Sequence, residues 1–355
     1  MTAGTRIDSH KLMLHPKRVA AWLEGENIYP IYVEVAPTGA CNHRCIFCAL
    51  DYVGYKPTML DAELFLRDLP LMAERGVKSM MFAGEGEPLV NKNTPLMIRK
   101  AKEAGIDVAM TSNGVLFTEE VMKECLPTFS WVRFSVNAGS SENYDRIHRG
   151  KPGDFEIVLN NIRKAVEYKK ARNLSATIGV QMLLIPENQD EVIQLAERVA
   201  EIGVDYFSVK PFSKHPLSHC DLSEEFNYEK FLKLENDLRE RVAGKIQIAF
   251  RTQAMEKLKY EKSYDSCRGL PFWAYLDSNG QIWACSAHLG KNEFCYGDLN
   301  EQNFIEIWEG KQRQDVLEMV KNKLDVKHCR EICRLDEINI YLHELKNPGL
   351  HVNFI

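Results

Sequence analysis

Apolar and polar positions alternate in two patterns over the first 212 residues of the chain. Short apolar runs, rich in β-branched and aromatic residues, are typical of buried parallel strands. Longer amphipathic runs between them predict helices, although Pro70 is expected to interrupt the first one. The predicted strands are 31–35, 77–84, 106–114, 131–137, 175–185 and 204–212, and the predicted helices are 61–76, 94–105, 118–126, 155–172 and 190–203.

This alternation predicts an α/β fold in which helices cover a parallel sheet. Right-handed crossovers would curl the sheet into a partial (β/α)6 barrel, because six units are too few for a closed eightfold barrel. After about residue 213 the pattern changes to short elements, and cysteines become frequent from Cys267 onward. We therefore expect two domains: an N-terminal extension with the partial barrel over 1–221, and a small domain over 222–355.

Composition narrows the class of protein. Of the 355 residues, 45% are hydrophobic and 27% charged, with a net charge of -5. These values give no sign of a basic nucleic-acid-binding face, and no apolar run approaches the ~20 residues of a membrane span. The first 18 residues lack the apolar region of a signal peptide. We expect a cytoplasmic protein with neither nucleic acid nor membrane as partner. Its ten cysteines would stay reduced and need a role other than disulfides.

Three cysteines follow the first predicted strand, in the segment GACNHRCIFCALDY. Cys41, Cys45 and Cys48 are spaced C-x3-C-x2-C at the C-terminal end of a barrel strand, where active sites of this architecture lie. Iron–sulfur clusters usually take four cysteine ligands, so three thiolates would leave one iron of a cubane open. The alternative is a structural zinc site with His43 as a further ligand, although such sites usually pair close ligands with distant ones.

This loop, with Phe47 before its last cysteine, resembles the defining loop of the radical S-adenosylmethionine (SAM) superfamily. The resemblance implies that Cys41, Cys45 and Cys48 hold a [4Fe–4S] cluster whose open iron is chelated by SAM. It further implies that one electron cleaves SAM to methionine and a 5′-deoxyadenosyl radical, which abstracts hydrogen from a substrate.

Loops after the later strands resemble other segments of that family. The segment 84–88, GEGEP, is similar to a GGEP loop that meets the SAM ammonium, and TSNG at 111–114 is similar to a T-N-G turn. Plain turns are the alternative for both, and a surface ion pair is the alternative for Arg149. Lys210 would face substrate or lie at the barrel mouth. The SAM-binding residues that the resemblance implies are Phe47, Gly84, Glu85, Gly86, Glu87, Asn113, Ser135, Asn137, Arg149, Gln181 and Leu183.

The second cysteine group resembles the SPASM region, or its shorter twitch form. The full SPASM pattern has seven cysteines, whereas this group has five: Cys267, Cys285, Cys295, Cys329 and Cys333. That departure points to the twitch form with one auxiliary [4Fe–4S] cluster. The implied ligands are Cys267, Cys285, Cys329 and Cys333, which leaves Cys295 as a substitute ligand or a buried thiol. A zinc site at the same four positions is the alternative. Cys125 is expected in the core.

An auxiliary cluster could accept an electron from a substrate radical, which would make the net reaction an oxidation. The resemblance to cyclitol and amino-sugar dehydrogenases implies a secondary alcohol of a sugar-like small molecule as substrate. Modification of a peptide or protein is the first alternative, and an epimerase would need a hydrogen donor such as Cys220 or Cys295. A separate leader-binding domain is not evident in the ~30 residues before the first strand, which favours a small substrate.

A non-catalytic zinc- or cluster-binding protein is the other alternative. Flavodoxin or ferredoxin is the expected electron donor.

Overall fold

The computed structural model describes residues 10–222, 228–231 and 233–354. Over these residues, ten strands form one sheet in the order β10–β9–β8–β1–β2–β3–β4–β5–β6–β7. The strands are β1 Tyr32–Val35, β2 Ser79–Phe82, β3 Asp107–Ser112, β4 Phe129–Ser135, β5 Thr177–Leu184, β6 Tyr206–Pro211, β7 Gln247–Phe250, β8 Trp273–Leu276, β9 Gln281–Trp283 and β10 Cys295–Asp298. The six predicted strands are therefore confirmed as β1 to β6.

The helices are α1 Pro16–Leu23, α2 Ala62–Glu74, α3 Thr94–Glu103, α4 Glu119–Cys125, α5 Ser141–His148, α6 Asp154–Arg172, α7 Val192–Ile202, α8 Leu234–Arg241, α9 Thr252–Lys257, α10 Phe304–Glu309, α11 Lys311–Lys323 and α12 Asp336–Lys346. The expected interruption of α2 at Pro70 is wrong, because the helix continues through it. In the described part of the chain, no helix is both long and apolar enough to cross a membrane.

Strands β1 to β7 are parallel neighbours in chain order, and every crossover between them carries at least one helix. Val33 and Val35 of β1 are buried in the core together with Phe65 and Leu69 of α2, so the helices cover one face of the sheet. The residues that alternate with them, such as Glu34, lie on the opposite, concave face. The result is a barrel-like parallel sheet whose strands all end at one edge.

Residues beyond 221 also contribute to this sheet. Strand β7 pairs with β6 in parallel, and β8 pairs with β1 in parallel on the other side. Strands β9 and β10 then add antiparallel pairs at the β8 edge. The division of the chain at 221/222 stays a prediction.

Candidate functional site

The loop Cys41–Cys48 follows β1 and is fixed by backbone hydrogen bonds to the end of α5. The amides of Arg44 and Ile46 donate to the carbonyls of His148 and Ile147, each at 3.0 Å. The Arg44 guanidinium donates to the carbonyl of Cys41 at 2.6 Å, which folds the loop back on itself. The loop is therefore held by contacts that do not require its thiols.

The three thiols of this loop share one neighbourhood. Burial raises the pKa of Cys41 to about 11, and burial followed by the proximity of Cys41 and Cys48 raises the pKa of Cys45 well above its ordinary value. All three cysteines remain partly accessible. Bound iron would reverse these shifts, since a coordinating thiol is deprotonated. Three clustered, accessible thiols fit a cubane with one open iron.

Gly84 and Gly86 follow β2 and lie against the start of the cysteine loop. A Cβ at Gly86 would lie 2.0 Å from the Ala40 carbonyl oxygen, and one at Gly84 would lie 2.4 Å from the Ala36 Cβ. Gly84 also has a φ of +111°, a conformation that favours glycine. The Glu87 amide donates to the Ala40 carbonyl at 2.9 Å. The two glycines therefore allow the two loops to meet.

Glu87 connects this loop to the end of β3. Its carboxylate accepts from the Ser112 hydroxyl at 2.8 Å and from the Asn113 amide at 2.7 Å. The Asn113 side chain in turn donates to Asn42 Oδ1, on the cysteine loop, at 2.7 Å. Burial raises the pKa of Glu87 to about 7. Glu87 thus joins the loop after β2, the end of β3 and, through Asn113, the cysteine loop.

Glu85 lies near the second half of the chain. Its carboxylate accepts from the Ser278 hydroxyl at 2.9 Å. Burial, followed by the proximity of Asp277, raises the pKa of Glu85 to about 7. Glu85 therefore connects the β2 loop to the turn after β8.

Asn137 joins the ends of β4 and β5. Its Oδ1 accepts from the Leu183 amide at 2.6 Å. Ser135 and Gln181 are paired across the same two strands and so lie on one face. Arg149 lies elsewhere, exposed at the C-terminal end of α5 with a φ of +49°, next to the residue whose carbonyl binds the cysteine loop.

His148 is a site residue that the sequence reasoning missed. Its Nε2 accepts from the Asn137 amide at 3.1 Å, so the ring proton lies on Nδ1, which is 3.4 Å from Cys45 Sγ. Burial, followed by the proximity of His43, lowers the pKa of His148 well below its ordinary value and keeps the ring neutral. Phe47 contacts the same ring edge-on at 5.7 Å. A buried N–H thus points at a thiol of the first group.

The same geometry bears on the zinc alternative at this loop. His43, Cys45 and His148 have ligand atoms within 4.8 Å of one another. However, the His148 nitrogen that faces Cys45 carries the proton and has no lone pair to offer. His43 Nε2 is engaged with Asp154 Oδ2 at 3.1 Å. His148 therefore fits a supporting role better than that of a metal ligand, whereas the bond of His43 to Asp154 leaves its Nδ1 without a hydrogen-bond partner in the described structure.

The second cysteine group lies around one cavity that is partly open to solvent. Cys267, Cys285, Cys329 and Cys333 all line it, among apolar side chains such as Leu270. The Asn339 side chain donates to Cys267 Sγ at 3.5 Å.

The remaining three cysteines lie elsewhere. Cys295 begins β10 and is buried, with its thiol 3.6 Å from the Gly297 carbonyl oxygen. Cys220 donates to the Ile46 carbonyl at 2.9 Å, which places the segment after β6 against the first cysteine loop. Cys125 is buried in the core, as expected.

Residues 35–199 match the family described as "Radical SAM superfamily" and contain the first cysteine group. The fold and this site thus define a radical SAM enzyme, which uses a [4Fe–4S] cluster with SAM. Residues 267–334 match SPASM, described as "Iron-sulfur cluster-binding domain". The chain is therefore a radical SAM enzyme that also carries a SPASM domain for auxiliary iron–sulfur binding.

Curated relatives differ in how much of the chain they match. An AdoMet-dependent heme synthase from Methanosarcina barkeri is 23% identical, covering 83% of this chain and 88% of that protein. A GTP 3′,8-cyclase from Desulforamulus reducens is 32% identical, but the match covers 54% of this chain and 57% of the cyclase. The expected likeness to cyclitol and amino-sugar dehydrogenases gains no support from these relatives.

Among solved structures, SuiB from Streptococcus suis bound to the precursor peptide SuiA is similar with a TM-score of 0.66. The two chains are 18% identical, and the match covers 84% of this chain and 69% of SuiB. The structure of anSMEcpe with bound AdoMet is similar with a TM-score of 0.58 at 16% identity, covering 82% of this chain and 84% of that one. These likenesses show the fold.

Proposed function

We propose that this enzyme oxidises a small molecule held on the concave face of the sheet, between the two cysteine groups. In this proposal Cys41, Cys45 and Cys48 hold the cluster that binds SAM, and Cys267, Cys285, Cys329 and Cys333 hold one auxiliary cluster. When bound, the first cluster and SAM supply the 5′-deoxyadenosyl radical that takes a hydrogen atom from a substrate carbon.

One observation carries the proposal: the loop between Cys329 and Cys333 contacts the barrel directly. Arg330 donates to the Ser213 carbonyl, just after β6, at 3.0 Å. Arg334, next to Cys333, pairs with Glu34 of β1 at 2.7 Å. The chain around the auxiliary cysteines thus contacts the barrel on the concave face and just beyond β6, which supports a substrate position between the two cysteine groups.

Four cysteines supply every ligand of a cubane, so the auxiliary group would have no open iron for substrate. That favours a role in taking one electron from the substrate over a role in binding it. Loss of a hydrogen atom, an electron and a proton would convert a secondary alcohol to a ketone. Oxidation of such an alcohol on a sugar-like molecule is our first hypothesis for the net reaction.

The same loop supports a small substrate over a peptide. Arg334 contacts Glu34 on the concave face, and Arg330 contacts Ser213 just beyond the end of β6, so this part of the chain covers the face near these two points. In addition, the names of two relatives, a heme synthase and a GTP cyclase, refer to small molecules. Modification of a peptide is the second candidate and would require this loop to move away.

The test is the metal content of two triple variants, reconstituted without oxygen. We expect about eight iron atoms per wild-type chain, four for each cubane, and about four in either variant. One variant is Cys41→Ala with Cys45→Ala and Cys48→Ala, and the other is Cys267→Ala with Cys285→Ala and Cys329→Ala. Zinc in the wild-type protein that disappears only from the second variant would overturn the auxiliary cluster.

A further inference from the structure

The concave face of the sheet carries a group of cations that the SAM chemistry does not use. Arg133 lies on β4, Lys210 on β6, and Arg251 directly after β7. Arg330 and Arg334 approach the same face from the cysteine loop of the second group. These five residues, here called the cationic cluster, come from four separate parts of the chain, and only the fold brings them together.

The other four members of the cluster lie near enough to Lys210 to disfavour its charged form. Apart from burial, the residues that lower the pKa of Lys210 well below its ordinary value are Arg330, Arg133, Arg251 and Arg334, the other four members. Arg133 contacts the Thr111 hydroxyl at 3.4 Å and lies 5.3 Å from the Trp131 ring, so it is fixed by neutral groups. Mutual repulsion among such charges raises the free energy of the folded protein unless an anion offsets it.

The protein itself offers little negative charge here. Glu34 faces the cluster but is already paired with Arg334 at 2.7 Å. Across the described residues, no carboxylate lies within 4.0 Å of a charged nitrogen of Arg133, Lys210 or Arg330. The whole chain has a net charge of -5, so this positive interior does not reflect a generally basic protein.

Unused hydrogen-bond donors lie on two members of the cluster and on the strand that carries Lys210. The Nε atoms of Arg133 and Arg330 are buried without a hydrogen-bond partner in the described structure, and so is the Ser208 hydroxyl. Ser208 lies two residues before Lys210 on β6, which places both on one face of the strand. Buried donors without partners are costly, and guanidinium groups present paired donors that match the oxygens of a carboxylate or phosphate.

We propose that the cationic cluster binds an oxyanion of the substrate, a carboxylate or a phosphate group, on the concave face. This inference rests on the proposed function and names the substrate class: an anionic small molecule. The anion lies toward Lys210 and the Cys329–Cys333 loop, so the cluster orients the uncharged part of the substrate toward the first cysteine group.

A structural explanation exists for part of the cluster. Arg330 and Arg334 flank the second cysteine group and would offset the charge of its thiolates. Lys210 and Arg133 lie on strands that carry no cysteine, so this explanation does not extend to them. They are the positions at which the proposal is tested.

The experiment measures binding of inorganic phosphate and of succinate to the reconstituted holoenzyme by calorimetry, with SAM present to occupy the open iron. Saturable binding of either probe is expected, and the stronger probe identifies the phosphate or carboxylate source. Lys210→Gln and Arg133→Gln should each weaken it by roughly tenfold or more, since a hydrogen bond to a charged group contributes about 1.5–3 kcal/mol. Lys210→Arg should largely restore it.

The matched control is Lys311→Gln, which removes the same charge from an exposed side chain and should leave probe binding unchanged. Iron content and circular dichroism of each variant establish that it is folded. Equal binding by wild type and both barrel variants, or no saturable binding of either probe, overturns the inference. Failure of SAM cleavage in a protein that still binds the probe would count against the proposed function and not against the anion site.

Discussion

His148 Nδ1 lies 3.4 Å from Cys45 Sγ and carries the proton, because its Nε2 accepts from the Asn137 amide. The imidazole also stacks on Tyr144, with ring centroids 4.1 Å apart. A hydrogen bond to a ligand sulfur stabilises the more negative, reduced form of a cluster and raises its reduction potential. His148 is therefore positioned to set how readily the first cluster accepts its electron.

Replacing His148 by phenylalanine keeps the stacked ring and removes the N–H donor. We predict that His148→Phe lowers the reduction potential of the first cluster by roughly 40 mV, the equivalent of about 1 kcal/mol for one electron. A redox titration followed by electron paramagnetic resonance measures this shift. The auxiliary cluster in the same sample is an internal control, and exposed His328→Phe is a control variant. An unchanged potential in a fully loaded variant would show that this hydrogen bond has no such role.

Gly86 gives a steric prediction. A Cβ there would lie 2.0 Å from the backbone oxygen of Ala40, directly before the cysteine loop, and no side-chain rotation can relieve this contact. We expect Gly86→Ala to displace that loop, so that iron content falls toward about four atoms per chain, the content of the auxiliary cubane alone. Gly349→Ala is the control, because nothing lies within 4 Å of a Cβ at that position. Full iron in Gly86→Ala would contradict the tight contact between the two loops.

Cys295 tests the assignment of the auxiliary ligands. Its thiol is directed to the Gly297 carbonyl, whereas Cys285 lines the cavity. We expect Cys295→Ala to keep about eight iron atoms and Cys285→Ala to lose most of the auxiliary share, about four atoms. Iron and sulfide analysis of the two variants decides the matter. The reverse pattern would mean that Cys295 is the ligand.

Glu85 gives a pH prediction for the metal-free protein. Its pKa is raised from 4.5 to about 7 in the folded state, so the folded chain holds this proton more tightly than the unfolded chain. The resulting stabilisation is fully present below pH 4.5 and is lost as the pH rises through about 7. Between these limits the free energy of unfolding of the wild type should therefore fall by roughly 3 kcal/mol relative to Glu85→Gln.

Urea unfolding of both proteins across this pH range measures the difference. Groups that titrate in both proteins, such as buried histidines, cancel in the comparison. Exposed Glu261→Gln should track the wild type. Parallel curves for the wild type and Glu85→Gln would show that Glu85 ionises at an ordinary pH.

The local periodicity of the sequence was enough to predict β1 to β6, because each strand has its own apolar run and is followed by a helix. Periodicity could not predict that β8 pairs with β1, because the sequence of a parallel strand does not indicate which strand it pairs with. Helix α5 was also missed, because its eight residues include few apolar ones, chiefly Tyr144 and Ile147.

The residues of the candidate site also fall into some that the sequence could predict and others that it could not. Short spacing revealed Cys41, Cys45 and Cys48, because neighbouring ligands must be close in sequence to share one loop. The hydrogen bond of His148 to Cys45 and the approach of Arg334 to Glu34 join segments far apart in the chain. Such contacts depend on the packing of several elements, so no local sequence pattern predicts them.

The most direct test of the central claim is SAM cleavage by the protein reconstituted without oxygen and reduced with dithionite. The wild type should form 5′-deoxyadenosine and methionine, and Cys45→Ala should form neither. Cys125→Ser, at a buried cysteine outside both groups, is the matched control and should retain cleavage. Formation of 5′-deoxyadenosine by Cys45→Ala at the wild-type rate, or its absence from an iron-loaded wild-type protein, would contradict the assignment of the first cysteine group to radical SAM chemistry.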